Sequence, residues 1–140
     1  AWILVRRAHR LRLFGEFARA AALLDLAVRS RPRDAQPLVM RANTRFLAGR
    51  PGGREDVEAA LALGTCPPSA LGDLVEALQI LARPVDALMA CNATVAMYPG
   101  SAFAFRARAC AGLALGRPDV GLADARRALA LDPEADADLT

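Results

Sequence analysis

The sequence predicts an all-α chain, an α-solenoid of about four antiparallel helix hairpins, and three observations carry that expectation. Gly15, Gly49, Ala82 and Gly116 recur about every 34 residues, a period that marks stacked helical hairpins. Small residues recur in step with them: Ala8, Ala42, Val75 and Ala109 before, then Ala20, Gly53, Ala87 and Gly121, then Ala27, Ala60, Thr94 and Ala128. Such side chains are needed where two helices pass closely, because added bulk there costs on the order of 1–3 kcal/mol through overpacking. Third, 54% hydrophobic residues with only 5% aromatics describe a core of Ala, Leu and Val. That composition suits closely packed helices better than a sheet.

Each element follows from its own residues. In residues 1–34, Leu4, Ala8, Leu11 and Phe14 recur at helical spacing until Gly15-Glu16 breaks the run. Phe17, Ala20, Leu24, Ala27 and Val28 resume it, and Arg31-Pro32 ends it, since proline lacks the N–H donor and restricts the residue before it. In residues 35–67, Leu38, Ala42, Phe46 and Ala48 lead to Gly49-Arg50-Pro51, and Val57, Ala60, Leu61 and Leu63 follow. This hairpin is one residue short and carries Gly52-Gly53, so its second helix should start late or loosely. Residues 68–100 run from Leu71, Leu74, Val75, Leu78 and Leu81 through Ala82-Arg83-Pro84 to Ala87, Leu88, Cys91 and Val95. Residues 101–134 repeat the pattern with Phe105, Ala109, Leu113 and Leu115, then Gly116-Arg117-Pro118, then Leu122, Ala125, Ala128 and Leu129. Pro51, Pro84 and Pro118 are expected to open second helices, where proline is tolerated. Asp86 and Asp119 would sit in first turns, favoured by the positive helix end. Ser69 and Ser101 are expected as N-caps. Residues 135–140 should begin a further helix, and the chain, starting at Ala1 rather than Met, is read as a fragment of a longer protein forming one domain here.

These features resemble the tetratricopeptide repeat family, over nearly the whole chain. The clearest stretches are Leu-Phe-Gly-Glu-Phe-Ala-Arg-Ala at 13–20 and Leu-Ala-Asp-Ala-Arg-Arg-Ala-Leu-Ala-Leu-Asp-Pro at 122–133. Arg7-Ala8, Arg41-Ala42 and Arg108-Ala109 resemble the Arg-small pair of a bacterial subtype. The resemblance implies a right-handed superhelix whose first helices line a concave groove that binds a peptide or helical segment of a partner protein. On that basis the groove would carry Arg6, His9 and Arg12, then Met40, Asn43 and Phe46, then Asp73 and Glu76, then Phe103 and Arg106. Met40, Phe46 and Phe103 are expected to bury apolar anchors and Asn43 to hold a backbone amide. The family's carboxylate-gripping Lys-Asn-Asn-Lys-Arg set is matched only at Asn43, and Asp73 would repel a carboxylate.

Charge supplies the alternatives. Residues 1–54 carry a balance of +9 and residues 55–140 one of −6, with arginine the only strong base. An Arg-rich N-terminal half could bind an acidic polymer or nucleic acid, though no aromatic residues are interleaved there for base stacking. Opposite halves could also stack head to tail in a homo-oligomer. Enzymatic function is not expected. His9 is the only histidine, with no nucleophile or orienting carboxylate beside it. Cys66, Cys91 and Cys110 form no metal or redox spacing, and the acidic run from Asp132 to Asp138 does not fit a calcium loop. No cofactor or metal is expected. Unpaired thiols suit a cytoplasmic home, and no apolar run reaches the roughly 18 residues of a membrane span.

Overall fold

The computed structural model describes residues 2–132, and their regular structure is entirely helical. Eight helices follow in order among these residues: α1 Trp2–Leu13, α2 Phe17–Ser30, α3 Ala35–Leu47, α4 Gly53–Ala62, α5 Pro68–Ile80, α6 Pro84–Met97, α7 Ala102–Ala114 and α8 Pro118–Leu131. The further helix expected from residues 135–140 lies outside the described residues. Contacts group the helices into two units, Ala1–Cys66 and Pro67–Thr140. In the first unit α1 packs on α2, α2 on α3, and α3 on α4. In the second, α5 and α6 pack together, both contact α7, and α7 packs on α8.

The sequence period is, physically, a helix-ending turn made four times. Gly15, Gly49 and Gly116 have φ of 75°, 65° and 74°, and Ala82 occupies the same left-handed region at 57°. The next residue's N–H then reaches back to a carbonyl near the end of the preceding helix: Glu16 to Leu11, Arg50 to Arg45 and Arg83 to Leu78 at 2.8 Å, and Arg117 to Gly112 at 2.9 Å. This closure satisfies carbonyls that the helix end would leave exposed, and glycine makes it without the Cβ clash. Ala82 bears that clash.

After the turn, α2, α6 and α8 start at once, with Pro84 and Pro118 in their first positions. Pro51 does not follow the expectation. It lies in the turn, and α4 opens only at Gly53, after Gly52 at φ 102°, giving ten residues where α2, α6 and α8 have fourteen. Ser101 caps α7, its hydroxyl accepting from the Ala104 N–H at 3.3 Å. Ser69 does not cap α5, which already begins at Pro68. Asp34 caps α3, accepting from the Gln36 N–H at 3.0 Å.

All of the recurring small positions are buried. Four of them, Ala8, Ala20 and Ala27 in the first unit and Ala128 in the second, belong to the apolar clusters there, with Val5, Leu24 and Met40 in one and Phe105 in the other. A close approach of two helices is readable at Gly121 in α8. A Cβ there would stand 2.9 Å from the Leu113 Cγ and 3.2 Å from the Ala109 carbonyl oxygen.

Ala82→Gly should therefore stabilise the protein by about 0.5–1 kcal/mol by relieving the left-handed alanine. Gly121→Ala should destabilise it by roughly 1–3 kcal/mol. Urea melts of the two variants check both signs.

Candidate partner-binding site

The helices divide the expected groove residues into those that face outward and those turned inward. On α1, Arg6 and His9 are exposed, and the Arg6 guanidinium lies over the Trp2 ring, 4.9 Å from its centroid. Trp2 remains 68% exposed despite this contact. Trp2, Arg6, His9 and Leu13 fall at i, i+4, i+7 and i+11, one row along the helix, and all four are exposed. Arg12 is half-buried, and its Nε and Nη1 have no acceptor among the described residues.

On α3 the expectation needs correction. Met40 is buried in the core of the first unit, among Val5, Ala8, Ala20, Leu24 and Ala27, so it has no surface to offer an anchor. The ring of Phe46 lies against α4: a Cβ on Gly53 would come within 2.5 Å of it. The missing side chain at Gly53 is the space this ring needs. Asn43 is buried as well, which removes it from the reach of a ligand's backbone.

In the second unit the expected residues come from α5 and α7, which lie against each other. Glu76 is exposed and Asp73 half-buried on α5. On α7, Phe103 is 59% exposed and Arg106 lies over its ring at 5.6 Å. Phe103, Arg106, Cys110 and Leu113 form a row at i, i+3, i+7 and i+10 that resembles the α1 row in beginning with an aromatic residue and an arginine and ending in a leucine, with Cys110 where α1 has His9. A cation held on a ring in this way is worth about 0.5–1 kcal/mol at an exposed site, enough to pre-order both groups.

Each unit also holds one arginine–carboxylate clamp. Arg41 grips buried Asp56 with two hydrogen bonds, Nε to Oδ2 at 3.1 Å and Nη2 to Oδ1 at 2.8 Å, and donates from Nη1 to Asp25 at 2.9 Å. Arg45 adds a bond to Asp56 at 2.8 Å and another to the Gly52 carbonyl at 3.3 Å. In the second unit Arg108 grips Asp124 through two bonds of 2.8 Å and reaches Asn92 at 3.4 Å. Hydrogen bonding to Asp56 and to Asp124 raises the Arg41 and Arg108 pKa values above the ordinary guanidinium range, outweighing the opposing effect of burial. A raised basic pKa contributes stability below the unfolded value and loses it only as pH climbs through the folded one. Both arginines thus stay charged at any ordinary pH. Their partners lie 15 and 16 residues away, so short-range helical spacing gives no sign of the pairing.

Among the described residues no group of three His, Cys, Asp or Glu is placed to hold a metal ion, and no helix is long and apolar enough to cross a membrane.

Comparison with known proteins gives no matching family model and no matching curated protein. Solved structures do match. A crystal structure of MamA superposes with a TM-score of 0.62 at 18% identity, covering 90% of this chain and 74% of that one. MamA from Desulfovibrio magneticus RS-1 gives a TM-score of 0.59 at 21% identity, covering 94% and 75%. YrrB, described as a TPR protein with an unusual peptide-binding site, gives 0.45 at 17% identity, covering 94% and 86%.

Asp56→Ala should cost about 3 kcal/mol, because it removes the buried carboxylate shared by Arg41 and Arg45 and leaves them only the more exposed Asp25. Glu55→Ala, next to it and exposed, should stay within about 0.5 kcal/mol. Thermal melts of the two variants separate a structural clamp from a surface pair. With eight helices among the described residues, four left-handed turns and the MamA superpositions, the chain has the fold of the tetratricopeptide repeat proteins.

Proposed function

We propose that the chain is a protein-interaction module that holds a peptide or helical segment of a partner against the outward rows of its first helices, without catalysis. The observation that carries this reading is the repeated row on α1 and α7. Each begins with an open aromatic ring carrying an arginine, and each ends in an exposed leucine. Open aromatic and arginine side chains are the residue types that dominate binding energy at interfaces. A segment with an apolar side chain flanked by acidic groups fits such a row: the ring accepts the apolar group and the ordered guanidinium the charge. Within the second unit, exposed Glu76 on α5 favours a basic residue in a bound segment. Met40, Asn43 and Phe46 have no part in this surface.

The nucleic-acid alternative draws on the N-terminal arginines, and two of these, Arg41 and Arg45, are already engaged with Asp25 and Asp56. A cytoplasmic setting agrees with three cysteines joined by no disulfide.

Selection from a library of helical and extended peptides tests the proposal. Peptides chosen on the unaltered protein should bind at least tenfold more weakly to Trp2→Ala or Phe103→Ala, with melting temperature unchanged. Arg6→Ala should act mainly on association rate and salt dependence. Peptides that bind both aromatic variants unaltered would place the surface elsewhere. Binders that vanish steeply with salt and are displaced by single-stranded nucleic acid would favour phosphate recognition.

A further inference from the structure

The outward face of α6 is unlike that of the other second helices. α2 exposes Arg19 and Arg29, α4 exposes Arg54, Glu55 and Glu58, and α8 exposes Asp119, Arg126 and Arg127. The fourteen residues of α6 include one charge, Asp86, and the Arg83 Nε donates to it at 2.7 Å. Where α2, α4 and α8 have Asp25, Glu58 and Arg126, α6 has Asn92, whose Oδ1 accepts from Arg108 at 3.4 Å. A helix that is apolar on every side is ordinarily covered on every side.

The open residues of α6 form one stripe. Val85, Met89, Ala93, Ala96 and Met97 stand at i, i+4, i+8, i+11 and i+12, and all five are exposed, Val85 at 60%, Met89 at 63% and Met97 at 56%. The opposite side of the helix, with Ala87, Cys91 and Thr94, is buried, and α6 packs on both α5 and α7. Stacking of one hairpin on the next does not cover the stripe's position. In the first unit α2 also lies between two packed neighbours, α1 and α3, and its corresponding face is open and charged. The stripe is therefore bare in the middle of the second unit, with helices on both sides of it in the chain.

The order of side-chain sizes along the stripe is what a second copy requires. Met89 is large and flexible, and Ala93 and Ala96, the next residues on the same side, leave a shallow recess. Two such helices laid antiparallel place each Met89 over the recess of the other, and one two-fold axis makes both contacts at once. Parallel helices would instead set Met89 against Met89. The absence of charge also suits self-pairing, because a patch that meets its own copy meets its own charges; Arg126 and Arg127 of α8 would face their like. We infer that two copies of the chain associate side by side through α6, antiparallel about an axis near Asn92 and Ala93, with Met89 of each copy on Ala96 of the other. Covering the stripe on both copies removes on the order of 1,000 Å² from water, below the size of a standard stable interface, so the dimer is a weak and reversible one. This contact is separate from the aromatic rows of α1 and α7, and neither reading depends on the other.

Sedimentation equilibrium of the full chain, from micromolar to millimolar concentration, tests the inference. A monomer–dimer equilibrium is expected, unweakened by added salt because the contact is apolar. Met89→Arg, an exposed change, should weaken dimerisation at least tenfold with the melting temperature unchanged. Ala22→Arg, the same position on α2 and also exposed, should alter it less than twofold. Direction is read by cross-linking, with Cys110→Ser removing the exposed thiol. Ala93→Cys, beside the axis, should oxidise to a covalent dimer, and Val85→Cys, two turns away, should not, since a disulfide needs Cα atoms within about 7 Å. A chain that stays monomeric to millimolar concentration would give the stripe to a different partner and overturn the inference. It is overturned equally if Ala22→Arg weakens dimerisation as much as Met89→Arg, or if Val85→Cys cross-links as readily as Ala93→Cys. Association that grows beyond the dimer and dissolves in salt would point to charged ends stacking head to tail and would also contradict it.

Discussion

Close passage of the helices within each unit is the constraint on which the other features rest. Hairpins closed by a short link bring their helices together just beyond the turn, and only a small side chain leaves room there. Ala8 and Ala20, Ala42 and Gly53, Val75 and Ala87, Ala109 and Gly121 are all buried as that geometry demands. The left-handed residue at each turn sets the direction of return, and the back-reaching hydrogen bond fixes it. Once the backbones are held in this way, the remaining faces of the first helices are determined. One row looks out, carrying Trp2 or Phe103. A neighbouring row meets the preceding hairpin, carrying Arg41 or Arg108.

The clamps add a longer rhythm to that of the single hairpin. Arg41 and Arg108 stand two repeats apart, as do Asp25 and Asn92, the capping residues Asp34 and Ser101, and the clamped carboxylates Asp56 and Asp124. Leu23 and Ala90 stand where the other two second helices would need the aspartate. Each unit is therefore a pair of unlike hairpins, the second of the pair bearing a buried ion pair that ties together three helices. A buried pair of this kind is strong mainly against the loss of one partner, and it selects one pairing over others by leaving an uncompensated charge in any alternative.

Much of this was legible in the sequence because the constraint is local. A residue that must take positive φ, or must have almost no side chain, announces itself wherever it recurs, and so the turns and crossings could be placed by reading alone. The late start of α4 was legible for the same reason, from the missing residue and Gly52-Gly53. Which way a helix is rotated was less accessible. Met40 and Phe46 have the composition of binding anchors, but their direction depends on neighbours in other helices, and packing turned both inward. Arg45 stands where the first and third hairpins have Leu11 and Leu78, and it serves as one arm of the Asp56 clamp. Pro51 carried the sign of a helix start that the extra glycines displaced. The echo of Arg41 in Arg108 was visible in the sequence and became meaningful only when their carboxylates were placed.

The central claim is that the small positions set the approach of the helices, and urea denaturation of single leucine variants tests it most directly. Ala8→Leu and Ala109→Leu should each lose roughly 1–3 kcal/mol, since neither site can take a larger side chain without parting two helices. Arg33→Leu and Arg50→Leu, on exposed connections, should remain within about 0.5 kcal/mol of the unaltered protein. Equal losses at both kinds of site would contradict the account.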